Sequence, residues 1–174
     1  MKHAIPLLIA MVLAISTFAH SDLVKVPTIK LGAVTVGNSR TQGATAAPNK
    51  EAARITTAHG SSVEITVKNA GTTPENVTVR WFAVGHYVTS KNFFRNGDGE
   101  KALKVAPKAS ETLVADCDID SHETKSTKGS YKSGGKLVGW VVAMYDNKGK
   151  IQAATASDPA LEHFAADPPN LQHK

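Results

Sequence analysis

The chain is written largely in a two-residue alternation of apolar and polar side chains, the period of a strand with one buried face, and helical periodicity is almost absent. In Val63-Glu64-Ile65-Thr66-Val67-Lys68 the apolar residues share one face and Glu64, Thr66 and Lys68 the other. Turn residues follow in Asn69-Ala70-Gly71-Thr72-Thr73-Pro74, after which Val77, Val79, Trp81 and Ala83 resume the alternation against Thr78 and Arg80. The two runs are predicted to be neighbours in an antiparallel sheet. Further strands are predicted over residues 24–36, interrupted at Pro27, and around 55–57, 102–105 and 112–115. The clearest hairpin joins residues 137–145 to 150–155 through Asp146-Asn147-Lys148-Gly149, where Gly149 can take a positive φ. Its first arm is apolar on both faces, with Val138, Trp140, Val142 and Met144 opposite Leu137, Gly139, Val141, Ala143 and Tyr145, which predicts a central strand covered on both sides. The second arm carries Gln152 and is expected nearer an edge.

Two stretches lack the alternation. Residues 37–54 are rich in Ala, Gly, Thr, Asn and Ser, residues 121–136 are polar throughout, and both are predicted as long loops. After Asp158-Pro159, residues 160–166 suffice for two helical turns, followed by Asp167-Pro168-Pro169 and a polar tail. Seven or eight short strands separated by turn signals predict an all-β chain with one antiparallel β-sandwich over residues 22–157 and a short helix and tail over 158–174. Residues 63–84, VEITVKNAGTTPENVTVRWFAV, resemble the strand, Asn-x-Gly turn and following strand of immunoglobulin-like domains in bacterial secreted proteins, including adhesion-type and fibronectin type III-like modules. The resemblance implies an immunoglobulin-like sandwich, though without the paired cysteines of antibody-type domains. Such folds host many unrelated functions, so it implies architecture and little else.

The first residues follow a different logic. Lys2 and His3, the apolar run 4–15 and the small or polar stretch Ser16-Thr17-Phe18-Ala19-His20-Ser21 have the three-part layout of a secretory signal peptide over residues 1–19, with cleavage at 21 as the alternative. The apolar run is shorter than the about 20 residues of a spanning helix, and no later stretch approaches that length. The expected product is exported, periplasmic or extracellular, with no membrane span in the mature chain. Cleavage after Ala19 leaves 155 residues and lowers the formal net charge from +5 to +4, which fits one domain. So mild an excess, spread from Lys25 to Lys150, lacks the concentrated basic face of a nucleic-acid binder, and nucleic acid is not an expected partner. Cys117 is the single cysteine and cannot close an internal disulfide, so stability must come from packing, and burial near a strand end is expected to make this thiol inert.

Catalytic motifs do not survive inspection. His122-Glu123-Thr124-Lys125-Ser126 begins like a zinc HExxH motif but lacks the second histidine. Ser133-Gly134-Gly135-Lys136 has Ser-x-x-Lys spacing, but its glycine pair disfavours a helix, and it is predicted as a turn before a strand. Asp116, Asp118 and Asp120 resemble the opening of a calcium loop. Ser121 stands where that loop needs glycine and Thr127 where it needs a closing glutamate, which excludes an EF-hand. The three aspartates remain candidate calcium ligands, against the alternative of a solvated acidic strand end balanced by Lys125, Lys128, Lys132 and Lys136. A cut after Ala19 would expose His20 as a new N-terminus, whose amine and ring nitrogen can hold copper, with His59, His86, His122 or His163 completing a T-shaped site. Secreted copper-dependent polysaccharide monooxygenases pair that arrangement with an immunoglobulin-like sandwich. Trp81 and Trp140 could form a sugar platform but sit in strand patterns with apolar companions, which points to core packing. His59 and His86 lie beside glycines, where turn or surface roles are expected, and the lysines of residues 125–136 suit either an anionic polymer or membrane surface or simple solvation.

The sequence therefore points to an exported, non-enzymatic β-sandwich that binds or scaffolds at the cell envelope, its partner an unidentified protein or envelope polymer. No cofactor is needed for that function. The alternative is a secreted metal-dependent protein, with copper at His20 or calcium at Asp116, Asp118 and Asp120.

Overall fold

The computed structural model describes residues 28–46, 52–126 and 129–171. The leader, both cleavage sites, His20 and the start of the strand predicted at residue 24 lie outside the described residues. Seven antiparallel strands form the fold: β1 (Ile29–Ala46), β2 (Ala52–Asn69), β3 (Glu75–Tyr87), β4 (Phe93–Val105), β5 (Ser110–Ser126), β6 (Gly129–Tyr145) and β7 (Ile151–Ala156), followed by a 3₁₀ helix (Pro159–Ala165). They pair in the order β1-β2-β5-β6-β3-β4, and β7 pairs with β6. The all-β antiparallel expectation holds, in an arrangement consistent with a sandwich.

The alternation at residues 63–67 does what its period requires. Val63, Ile65 and Val67 are fully buried and meet Leu113, Ala115, Cys117 and Ile119 of β5 in one core with Val77, Val79 and Ala83 of β3, Trp140, Val142 and Met144 of β6, and Phe94 and Val105 of β4. The pairing differs from expectation, however. The β2 run pairs with β1 and β5, whereas the β3 run pairs with β4 and β6, so the two face each other across the core instead of lying side by side. Each buried valine or isoleucine stabilises by roughly 1.5–3 kcal/mol, a gain that specifies which face is buried but not which strand lies alongside.

Strand β6 joins the two layers. Its early residues pair with β5 as far as Gly134 opposite Ser121, and from Gly135 opposite Tyr87 onward it pairs with β3. Gly134 makes this change of partner at φ 87°, and a Cβ there would lie 2.6 Å from the Asp120 carbonyl oxygen. The Ser133-Gly134-Gly135-Lys136 sequence is thus a hinge within a strand and not the predicted turn. An extra residue at Val138 shifts the register so that Val84 opposes Gly139 and Gly85 opposes Leu137. This bulge corrects the predicted faces: Leu137 packs on the main core with Trp140, while Val138 is turned out to solvent.

The described residues of both predicted long loops are strand. Residues 37–46 continue β1, 52–54 open β2, and 121–126 and 129–136 end β5 and begin β6. The separate strand predicted at 55–57 is part of β2, and those at 102–105 and 112–115 are segments of β4 and β5. The hairpin over residues 137–155 forms as predicted: Gly149 has φ 76°, and Asp146 Oδ1 accepts from the backbone N–H groups of Lys148 and Lys150, both at 2.9 Å. These donors hold the Asp146 carboxyl below the usual carboxylate range, Lys150 first. Strand β7 is an edge, as its polar residue suggested. The outer face of β3 and β6 is covered too, because Phe82, Val84, Val141 and Ala143 pack against Leu161 and Ala165 of the 3₁₀ helix. Asp158 starts that helix by accepting from the Ala160 N–H at 2.9 Å. Part of the predicted polar tail then returns to β4, where the Arg95 N–H donates to the Asn170 carbonyl at 2.9 Å and Arg95 Nε donates to the Pro169 carbonyl at 3.0 Å.

Candidate functional site

Asp116, Asp118 and Asp120 lie exposed along β5, alternating with buried Cys117 and Ile119, so their charges share one face as expected. Asp116 Oδ1 accepts from Ser62 Oγ across the strands at 2.8 Å. The Asp118 carboxyl folds over Gly60, directly opposite on β2, into the space a side chain there would fill. Partial desolvation in that position, and then repulsion from Asp116 and Asp120, raise its pKa above the ordinary value. A carboxyl with a folded pKa above its unfolded value costs stability as pH rises through that interval. Asp118→Asn is therefore expected to stabilise the protein at pH 7 by less than about 1 kcal/mol, since the residue is exposed, and to lose that advantage below about pH 4. Urea unfolding at the two pH values checks this; an advantage that persists or grows in acid would contradict it.

Among the described residues, no three His, Cys, Asp or Glu side chains are grouped to hold a metal ion. The described histidines are spread over separate elements. His59 lies within β2 opposite Ile119, half-buried and not in a turn, and His86 is near the end of β3 with its ring Nδ1 3.1 Å from the Tyr87 carbonyl oxygen. His122 Nδ1 lies 3.1 Å from Thr56 Oγ1, and His163 is in the 3₁₀ helix, its Nδ1 2.8 Å from the Ala160 carbonyl oxygen. Cys117 is fully buried, and burial pushes its thiol up to about 12, so almost none is thiolate near neutral pH. Trp140 is core, its Nε1 donating to Thr35 Oγ1 at 2.9 Å, and half-buried Trp81 packs against the same core.

The long strands create a different feature. Beyond Gly60 on β2, Ile119 on β5 and Gly135 on β6, and along all of β1, the described side chains include none that is buried. The four strands nevertheless stay paired to their ends, giving a polar sheet, here called the arm, that projects past the core. Its inner face continues the core face, but strand β3 ends at Tyr87, so no described strand of the facing layer extends over its far end. In the resulting gap is a cavity of about 360 Å³ lined by Arg40 of β1, Thr57 and His59 of β2, Ser121 and Glu123 of β5, and Lys132 and Lys136 of β6, with Val88 at its lip. Register places Arg40 opposite His59, Thr57 opposite Ser121 and Glu123 opposite Lys132, so these side chains emerge on one face. The Val88 N–H donates to the Gly134 carbonyl at 3.2 Å and Ser121 Oγ to the Thr57 carbonyl at 3.2 Å, tying the lip and the floor to the hinge. Arg40, Lys132 and Lys136 have no ion-pair partner among the described residues, whereas Glu123 has Lys125 at 3.9 Å. The arrangement offers unpaired positive charge and hydroxyl groups, and His122, whose Nδ1 lies 3.1 Å from Thr56 Oγ1, also lines the cavity. Lysines of the 125–136 stretch were visible in the sequence as a charged group; Arg40 was not, because nothing around it marks a strand.

A second cleft, of about 380 Å³, lies on the outer face of β3 and β6 beneath Pro168. Its charged groups are already paired: Arg80 Nε donates to Glu100 at 2.6 Å with its guanidinium 4.8 Å above the Tyr145 ring, and Arg95 pairs with Asp98. Arg95 also holds the C-terminal segment, so this cleft is accounted for by packing and closure.

No family model matches the chain, and no curated protein matches it. Loose likenesses exist among solved structures. A Bacteroides fragilis protein is 15% identical over 70% of this chain and 15% of its own, with a TM-score of 0.34. A beta-D-glucoside glucohydrolase from Trichoderma reesei is 10% identical over 73% of this chain and 17% of its own, with a TM-score of 0.33. An Akkermansia muciniphila structure is 11% identical over 84% of this chain and 81% of its own, with a TM-score of 0.30. The chain thus spans less than a fifth of the first two. Superpositions this loose assign neither family nor activity. Among the described residues no helix is long and apolar enough to cross a membrane.

Proposed function

We propose that this protein is an exported, non-enzymatic immunoglobulin-like β-sandwich that binds a component of the cell envelope, and that the arm is the part that binds. The observation that carries the proposal is the arm itself: four strands maintain a paired sheet where no described side chain is buried. Strands outside a core gain little from burial, and a projecting polar sheet is an expense in ordered backbone that presentation of a surface accounts for. The signal-peptide layout of residues 1–21 supports export, and the strand, Asn-x-Gly turn and strand at 63–84 support the immunoglobulin-like architecture.

The buried state of Cys117 makes a clean test available. In a Ser130→Cys variant of the full chain, a maleimide-polyethylene glycol reagent should label only the new thiol at the arm, and in a Lys148→Cys variant only the turn that follows the opposite end of β6. The secreted products are then sedimented with isolated envelopes. Labelling at residue 130 is expected to reduce the bound fraction at least tenfold and labelling at 148 to leave it unchanged. Equal retention of both labelled products, or no retention of unlabelled protein, would refute the proposal.

A further inference from the structure

Resting on the assignment of the arm as the binding surface, we infer that the cavity at its root binds an acidic sugar unit of a polysaccharide, its carboxylate attracted by the cations that line it, Arg40, Lys132 and Lys136. The three cations that line the cavity have no ion-pair partners among the described residues, and only one carboxylate, Glu123, shares the lining. Unpaired cations converging in a concavity, where protein excludes part of the solvent, attract an anion more strongly than the same charges on a convex surface. Arg40 supplies a planar fork suited to a carboxylate, and Lys132 a mobile point charge. The rest of the lining fits a sugar ring: Ser121 and Thr57 offer hydroxyls, Glu123 accepts from ligand hydroxyls, and His59 presents a flat ring. A volume of about 360 Å³ accommodates a unit of that size. A membrane surface would instead be met by a convex basic face with apolar side chains to insert, whereas these charges line a concavity whose large apolar lining residue is Val88.

The test uses the full secreted chain and three probes: polygalacturonate, the same polymer fully methyl-esterified, and phosphatidylglycerol vesicles. Wild type is expected to bind polygalacturonate, with affinity falling as salt is raised, and to bind the ester at least about tenfold more weakly. The double variant Arg40→Glu with Lys132→Glu should lose at least about tenfold in affinity for polygalacturonate with an unchanged melting temperature, while Arg80→Ala, in the other cleft, should retain it. If charge reversal lowers the melting temperature, Arg40→Gln with Lys132→Gln replaces it and the same loss is expected. Equal binding of acid and ester, unaffected binding by the variants, or binding to the vesicles alone would each overturn the inference. Envelope retention that persists through the arm without binding of polygalacturonate overturns this inference and leaves the arm assignment standing; absence of envelope retention overturns the arm assignment itself.

Discussion

Phe94→Ala is expected to lower the free energy of unfolding by about 3–5 kcal/mol, a large part of the about 5–15 kcal/mol that holds a domain folded. The ring is fully buried although β4 is an edge strand, and it reaches into the core through a slot that exists because two neighbours lack side chains. A Cβ at Gly85 would lie 2.7 Å from Phe94 Cζ and 3.1 Å from the Lys136 carbonyl oxygen, and one at Gly135 would fall within the ring. Tyr87 packs against the ring with centroids 4.6 Å apart, and Ile119 closes the slot from the facing layer. The rigid backbone around the two glycines cannot collapse into the vacated space, which places the cost toward the upper part of the range. Gly135→Val alone should also destabilise, by about 1–3 kcal/mol or more, because the ring has no free volume to yield. Combined with Phe94→Ala it should cost less than the sum, since valine then fills part of the cavity. Urea unfolding of the two single variants and the double checks both points. A loss below about 1 kcal/mol for Phe94→Ala, or strict additivity, would show that the slot is not the packed unit described.

Asn69→Asp is expected to be strongly destabilising at neutral pH and much less so in acid. Asn69 is fully buried; its Nδ2 donates to the Thr73 carbonyl at 2.7 Å and the Val105 carbonyl at 3.1 Å, and its Oδ1 accepts from the Gly71 N–H at 2.8 Å. A carboxylate keeps the Gly71 contact but sets a buried negative charge against two carbonyl oxygens, for which a loss of about 3–5 kcal/mol is expected. Protonation restores one donor and reduces the loss to about 1–3 kcal/mol, the cost of the other carbonyl left unpartnered. The folded pKa of the introduced acid must therefore lie above its unfolded value near 3.9. Stability relative to wild type is then best below about pH 4 and declines as pH rises through the folded pKa. Asn69→Ala, which has no titrating group, should lose a similar amount at pH 4 and pH 7. Denaturant midpoints at those two pH values decide it: a pH-independent loss for Asn69→Asp would mean that the side chain can reach water.

The same residue shows what was legible in the chain. Asn-Ala-Gly after an alternating strand signals a turn by local chemistry, and the turn is present, with Asn69 bonding Gly71. The arm was not legible, because strands that bury neither face carry no alternation to read. Their backbone groups are satisfied by neighbouring strands distant in sequence, and Gly, Ala, Thr and Ser tolerate that state without announcing it. The candidate site shares this limit. Its basic residues in 129–136 stood out as a charged group, but Arg40 comes to line the same cavity as Lys132 only because β1, β2, β5 and β6 run side by side.

By itself, then, the sequence determined the all-β class, the buried faces of residues 63–67 and 77–83 and the hairpin turning at Gly149, each a matter of period or local turn chemistry. The tertiary structure alone decided that β2 lies between β1 and β5 and not beside β3, that β6 passes from one layer to the other at Gly134, and that three cations share a cavity. Those outcomes depend on long-range pairing, where hydrogen bonds between strands are interchangeable and the choice is made by how all the buried faces close together.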